Sequence, residues 1–153
     1  MSSYVHTMIT VHIIVSDADA ASAWYRDVFG AVERSRIVLP DGKLIHVDVD
    51  VDGTSVMLAD EFPDHHAFSP ATTGHTSAVF YVECGDVDDV WERATARGAT
   101  VVRPLADVFW GEREGQIIDP FGHKWGLTQH IRDVPLDEMT AMAAQVFGPS
   151  SAT

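Results

Sequence analysis

A chain of 153 residues has room for one compact domain, or for two small modules sharing a core, because an independent domain usually takes about 100 residues. Its single cysteine, Cys84, excludes an intramolecular disulfide and a Cys-rich zinc knuckle, and it fits a reducing compartment. Twenty-three acids against ten Lys and Arg leave a net charge of −13, which repels phosphate backbones and anionic membranes, so nucleic acid and membrane are not expected partners.

The first ten residues, MSSYVHTMIT, have neither a basic start nor a long apolar run. No stretch approaches the roughly 18 apolar residues of a spanning helix, and the expectation is a soluble, cytoplasmic protein. Residues 9–15, ITVHIIV, read as a strand rich in β-branched residues. SDADAASAWYRDVFG then switches to helical spacing, with Ala21, Trp24, Tyr25 and Val28 on one face. Asp17 or Asp19 can cap this helix and Gly30 can end it. Strands follow at 31–38, 43–51 and 54–59, separated by the turn signals Asp41-Gly42 and Asp52-Gly53. In 43–51, alternation puts Ile45, Val47, Val49 and Val51 on one face and Leu44, His46, Asp48 and Asp50 on the other. That second face is either a carboxylate row suited to a cation or a solvated sheet surface.

Residues 61–75, EFPDHHAFSPATTGH, read as a linker whose adjacent His65 and His66 are solvent-exposed. The pattern then restarts. AVFYVEC (78–84) is strand-like, and GDVDDVWERATARG places Val87, Val90, Trp91 and Ala94 at helical spacing between Asp86 and Gly98. Strands at 99–104, 110–118 and 123–129 follow, the last two joined through Phe121-Gly122. Trp24 and Trp91 are read as equivalent core positions on the two helices, Trp125 and Leu127 as residues packed under a helix, and Cys84 as a small core residue. PLDEMTAMAAQVF is a short amphipathic helix with Pro135 in its first turn and Met139, Met142, Ala143 and Val146 on one side.

Strand, helix, strand, strand, strand is thus written twice. This duplication, the SDADAASAWYRDVFG helix and above all DPFGHKWGL resemble the vicinal oxygen chelate superfamily (glyoxalase, bleomycin resistance protein, dioxygenase) over residues 9–129. The resemblance implies an α+β fold: two βαβββ modules forming a curled mixed sheet around a cavity, plus a C-terminal helix. Its expected organisation is a single domain over 1–153, with module 1 at about 8–60, the linker at 61–75, module 2 at about 76–130 and the final helix at 135–147. A homodimer is the expected assembly.

In metal-dependent members, His, Gln or Glu ligands from both modules converge on one divalent ion. Matching their places onto this chain, seven residues before each capping Asp and on each last strand, gives Thr10, Val79, Met57 and Gly126. These are not ligands for Zn, Ni, Mn or Fe(II), so the expectation is no metal and no other cofactor. The chain then resembles the metal-free, bleomycin-resistance-like branch, which binds a small molecule in its cavity.

Candidate ligand contacts are His12, His46, Met57, Tyr81, Phe109, Trp110 and Glu112. Trp110 and Phe109 offer flat surfaces at the start of the 110–118 strand, beside Glu112 and Arg113, which point to opposite faces. The ligand expected from this set is a small, partly aromatic, cationic molecule, an antibiotic or a metabolite. Other readings of the same residues are a lyase, isomerase or dioxygenase whose divalent metal is held in a shifted position by His12, His46 and Glu112, a metal-free enzyme with Glu112 or His12 as general base, and an interaction module with no small ligand.

Overall fold

The computed structural model describes residues 7–149 and divides the chain into two compact units, one of residues up to Ala78 together with Asp119–His123, the other of Val79–Ile118 and the residues from Lys124 on. In the first unit β1 (Val11–Ile14) leads into α1 (Ala18–Phe29), followed by β2 (Val32–Val38), β3 (Leu44–Val51) and β4 (Thr54–Ala59). The strands form a mixed four-stranded sheet in the order β1-β4-β3-β2, with only β1 and β4 parallel. One turn of 3-10 helix at Pro63–His65 and the short α2 (Pro70–Thr73) complete the unit.

The second unit repeats the plan with β5 (Val79–Glu83), α3 (Val87–Ala96), β6 (Thr100–Asp107), β7 (Glu112–Ile118) and β8 (Lys124–His130), in the order β5-β8-β7-β6 and with β5 and β8 parallel. The helix α4 (Leu136–Phe147) follows. Two βαβββ modules, each with its own mixed sheet, and a C-terminal helix are the α+β architecture expected above. No helix among the described residues is long and apolar enough to cross a membrane.

The helix ends follow local chemistry. The Asp17 carboxylate accepts the Ala20 N–H and that of Asp86 the Asp89 N–H, each satisfying a backbone donor that the first turn leaves orphaned. Gly30 closes α1 at φ 70°, where a Cβ would be strained. Ala21, Trp24, Tyr25 and Val28 of α1 are all buried, and on the sheet Val47, Val49 and Leu58 are fully covered. Burial of each such aliphatic side chain is worth about 1.5–3 kcal/mol.

Four local differences from the pattern-based reading have physical causes. In β3 the alternation breaks: Ile37 pairs with His46 and Val38 with Leu44, which leaves Ile45 as a bulge. Leu44 therefore turns into the core at 4% exposure while Ile45, expected on one face with Val47, Val49 and Val51, is 38% exposed. β6 runs past Pro104 to Asp107 rather than stopping at 104, because it is an edge strand with register shifts on either side of Arg103, where a missing N–H is tolerated. β7 begins at Glu112, so Trp110 lies in the turn before the strand and does not open it. Pro135 sits at the N-cap of α4, one place before the first turn.

Trp24 and Trp91 are also not equivalent. Sixty-nine residues separate the two capping aspartates, Asp17 and Asp86, and the same interval relates His12 to Tyr81 and Met57 to Gly126, which are register partners in their own sheets. The counterpart of Trp91 is therefore Ser22, whose hydroxyl donates to Glu33 at 2.9 Å. Trp24 is buried, whereas Trp91 is half-buried with its ring against Gly115; a Cβ there would meet it at 2.5 Å.

Candidate functional site

The turn sequence Asp119-Pro120-Phe121-Gly122 is held by the buried Asp119 carboxylate. Its Oδ1 accepts the N–H groups of Phe121 and His123 at 2.9 and 3.0 Å, and its Oδ2 accepts the Tyr25 hydroxyl at 2.5 Å. His123 Nε2 lies 2.7 Å from the carbonyl oxygen of Ile14. The acid and the imidazole of this turn are structural groups.

In the first unit, the sheet face opposite α1 carries three of the expected residues. His12 and Met57 are register partners on β1 and β4, and His46 stands close enough for its charge to act on His12. Partial burial, reinforced by His46, holds the His12 imidazole below its ordinary pKa. Asp48 and Asp50 do not form a free carboxylate row. Asp48 accepts the Ser55 hydroxyl, and Asp50 accepts the Gly53 N–H at 2.7 Å and lies 3.6 Å from Arg34.

The same unit carries an open pocket of about 300 Å³ that the strand pattern did not show. His12 and Ile14 of β1 and Ala59 of β4 form its floor, with Ile45 turned toward it by the bulge. Leu39 and the segment Phe62, His65 and Ala67 supply the other walls. The segment read as a linker is thus folded: Phe62 and Ala67 form a β-bridge, and the Lys43 ammonium donates to the Glu61 carbonyl at 2.6 Å while lying 4.5 Å from the Phe62 ring centre. His65, expected to be merely solvent-exposed, is exposed and also lines the pocket.

In the second unit, Tyr81, Glu112, Glu114, Gln116, Gly126, Thr128 and His130 share the sheet face opposite α3, as their strand registers require. The Tyr81 ring lies across Gly126, in the space a Cβ would occupy, and its hydroxyl accepts from Gln116 at 3.0 Å. The residue as a whole is 54% exposed. Trp110 donates its indole N–H to buried Glu114 at 3.2 Å, Phe109 meets it edge-on at 4.7 Å, and Arg103 sits over its face while pairing with Glu114. Glu112 accepts from Thr128 at 3.2 Å and lies 2.8 Å from His130 Nδ1, whose Nε2 is 2.9 Å from Asp133.

Bonding first to Glu112 and then to Asp133 raises the His130 pKa. Arg113, on the other face, pairs with Asp88 and Asp107. Burial raises the Cys84 thiol pKa, so it rests as a neutral, weakly nucleophilic group. Pattern reading found Glu112 but missed Glu114, Gln116, Thr128 and His130, although a period of two from Glu112 and from Gly126 points to all four.

Residues 3–127 match the family described as Glyoxalase/Bleomycin resistance protein/Dioxygenase superfamily. The chain belongs to this superfamily. An uncharacterized protein of Mycobacterium bovis is 40% identical over 152 residues, covering 97% of this chain and 100% of that one. TioX from Micromonospora sp. ML1 shares the fold at a TM-score of 0.64 and 34% identity, over 82% of this chain and 100% of that chain. The fosfomycin resistance protein FosX from Listeria monocytogenes, whose structure contains Mn(II), has the same fold at a TM-score of 0.61 and 17% identity, over 89% of this chain and 98% of that chain.

At the positions corresponding to the superfamily's metal ligands, this chain offers little for a cation. Thr10 precedes β1, Met57 brings a thioether, Val79 has no donor atom, and Gly126 lies beneath the Tyr81 ring. Among the described residues no group of three or more His, Cys, Asp and Glu side chains is placed to hold a metal ion. These residues do not fit a resident divalent ion.

Proposed function

We propose that this superfamily member binds a small, partly aromatic, cationic molecule, an antibiotic or a metabolite, without a catalytic metal. The observation that carries the reading is Tyr81. Its ring lies across Gly126 and its hydroxyl is tethered by Gln116, while the residue stays 54% exposed, so a planar ligand can stack on it with little further loss of conformational freedom. The neighbouring groups favour a positive charge, since Glu112, Glu114 and Asp133 face Arg103 and His130. With His130 protonated the cluster has three negative and two positive groups. Phe109 and Trp110 brace Arg103 and Glu114.

The direct test is calorimetric titration with N-methylquinolinium and, as anionic control, naphthalene-1-sulfonate. The cation should bind more tightly, its affinity should fall as salt screens the acidic groups, and Tyr81→Ala should weaken it by roughly two- to thirtyfold. Tighter binding of the sulfonate, or no effect of Tyr81→Ala, overturns the reading. Elemental analysis of untagged protein should give far less than one Zn, Ni, Mn or Fe per chain, and a chelator should leave the Tm unchanged. We also propose a homodimer, supported by α4, which buries none of its residues and leaves Leu136, Val146 and Phe147 exposed; a monomer in sedimentation at micromolar concentration would refute it.

A further inference from the structure

His130 ends β8 on the same sheet face as Tyr81 and Glu112. Its Nδ1 lies 2.8 Å from Glu112 Oε1 and its Nε2 2.9 Å from Asp133 Oδ1. A neutral imidazole has one N–H to donate, so a ring with a carboxylate oxygen at hydrogen-bond distance from each nitrogen carries two protons and a positive charge. Glu112 is thus already paired with a cation that the protein itself supplies. We infer that a cationic ligand binds by taking over this place on Glu112, so that His130 gives up a proton and binding is coupled to proton release. This coupling rests on the cation-binding reading and adds its regulation, an affinity set by pH.

The charged groups that act on His130 are Glu112 from β7 and Asp133 from the segment after β8. Glu83 of β5 stands level with Thr128, and Arg132 follows His130 by two residues, but neither sets the charge of the ring. Glu114 is engaged by Arg103 and by the Trp110 indole. The Thr128 hydroxyl holds Glu112 Oε2, so Oε1 is the oxygen whose partner can be exchanged. Asp133 is fully exposed and His130 half-exposed, and ion pairs in such places are weak enough for a ligand to displace. Below the raised pKa, protonated His130 competes with the ligand for Glu112; above it the ring is neutral and the competition ends, so affinity rises with pH and then levels off. Linkage is reciprocal: if losing Glu112 lowers the His130 pKa by about one unit, deprotonation strengthens cation binding about tenfold.

Calorimetric titration with N-methylquinolinium from about pH 6 to about pH 9 tests the coupling. Affinity should rise about three- to tenfold across this range. Within the His130 titration, the apparent enthalpy should differ between phosphate and Tris buffers, because the released proton is taken up by buffers of unlike ionisation enthalpy; near pH 9 the two should agree. His130→Gln should still bind the cation but lose both the pH dependence and the buffer dependence, and Asp133→Asn should move the rise in affinity to lower pH. A merely structural role for His130 would move neither readout. Tyr81-dependent binding that is flat with pH, weakens as pH rises or releases no proton overturns the coupling and leaves the cation-binding reading standing. Absence of Tyr81-dependent binding at every pH overturns both. If His130→Gln unfolds, Asp133→Asn, changed at a fully exposed side chain, decides.

Discussion

The two units share one backbone plan and have solved the filling of their open sheet faces in opposite ways. In the first, a bulge and a folded connecting segment surround an apolar pocket beside His12. In the second, the corresponding face carries an Arg103–Glu114–Trp110 cluster, a Glu112–His130–Asp133 chain and a Tyr81 lying across Gly126. The helix sides differ too. Leu58 pairs with Val47 and its counterpart Leu127 with Gly115, so Val47 corresponds to Gly115 just as Ser22 corresponds to Trp91. A large helix residue over a glycine in one unit replaces a small helix residue and a valine in the other. At these corresponding positions the bulk is supplied by the helix in the second unit and by the strand in the first.

Exchanging these solutions tests the comparison most severely. Gly115→Val should destabilise the protein by about 3 kcal/mol in urea denaturation, because the Trp91 ring occupies the space needed. Adding Trp91→Ser, which recreates the first unit's pair, should recover at least about 1 kcal/mol; strict additivity of the two changes would show that the correspondence is only topological.

A smaller effect is expected from the polar cluster. Glu114→Ala strands Arg103 and the Trp110 N–H in a partly covered site and should cost about 2 kcal/mol, while Met57→Ala on the first unit's open face should cost less than about 1. The capping acceptors differ in the same manner. Asp60 receives two backbone N–H groups, and its counterpart Gln129 receives that of Val87 at 2.9 Å. Asp60→Ala should therefore lower the Tm more than Gln129→Ala.

The smallest effects are the proton linkages, which run in opposite senses. His12, depressed by burial and His46, should titrate below the ordinary value of about 6.5. Its contribution to stability is complete above that value and is lost as the pH falls toward the folded-state pKa. His130, raised by Glu112 and Asp133, contributes below about 6.5 and loses that contribution as the pH rises through its higher folded-state pKa. Imidazole proton shifts across pH 4–9 should separate the two on either side of about 6.5, and coincident titrations would contradict the two environments.

Much of the architecture was legible in the chain itself, because it is written in local terms. Period-two strands, helical apolar spacing, the capping Asp17 and Asp86 and the glycine turns specify βαβββ twice, and each depends on residues only a few positions apart. The candidate residues were legible only as positions. That Ile45 faces the pocket depends on a register shift against β2, that Trp110 serves Glu114 depends on where an edge strand ends, and that Trp91 is half-buried depends on a glycine in β7. Residues 62–67 become a pocket wall only when Lys43 and Ala67 meet Phe62. Each outcome is fixed by a partner distant in sequence, through register and side-chain volume, and such pairings leave no periodicity to read in advance.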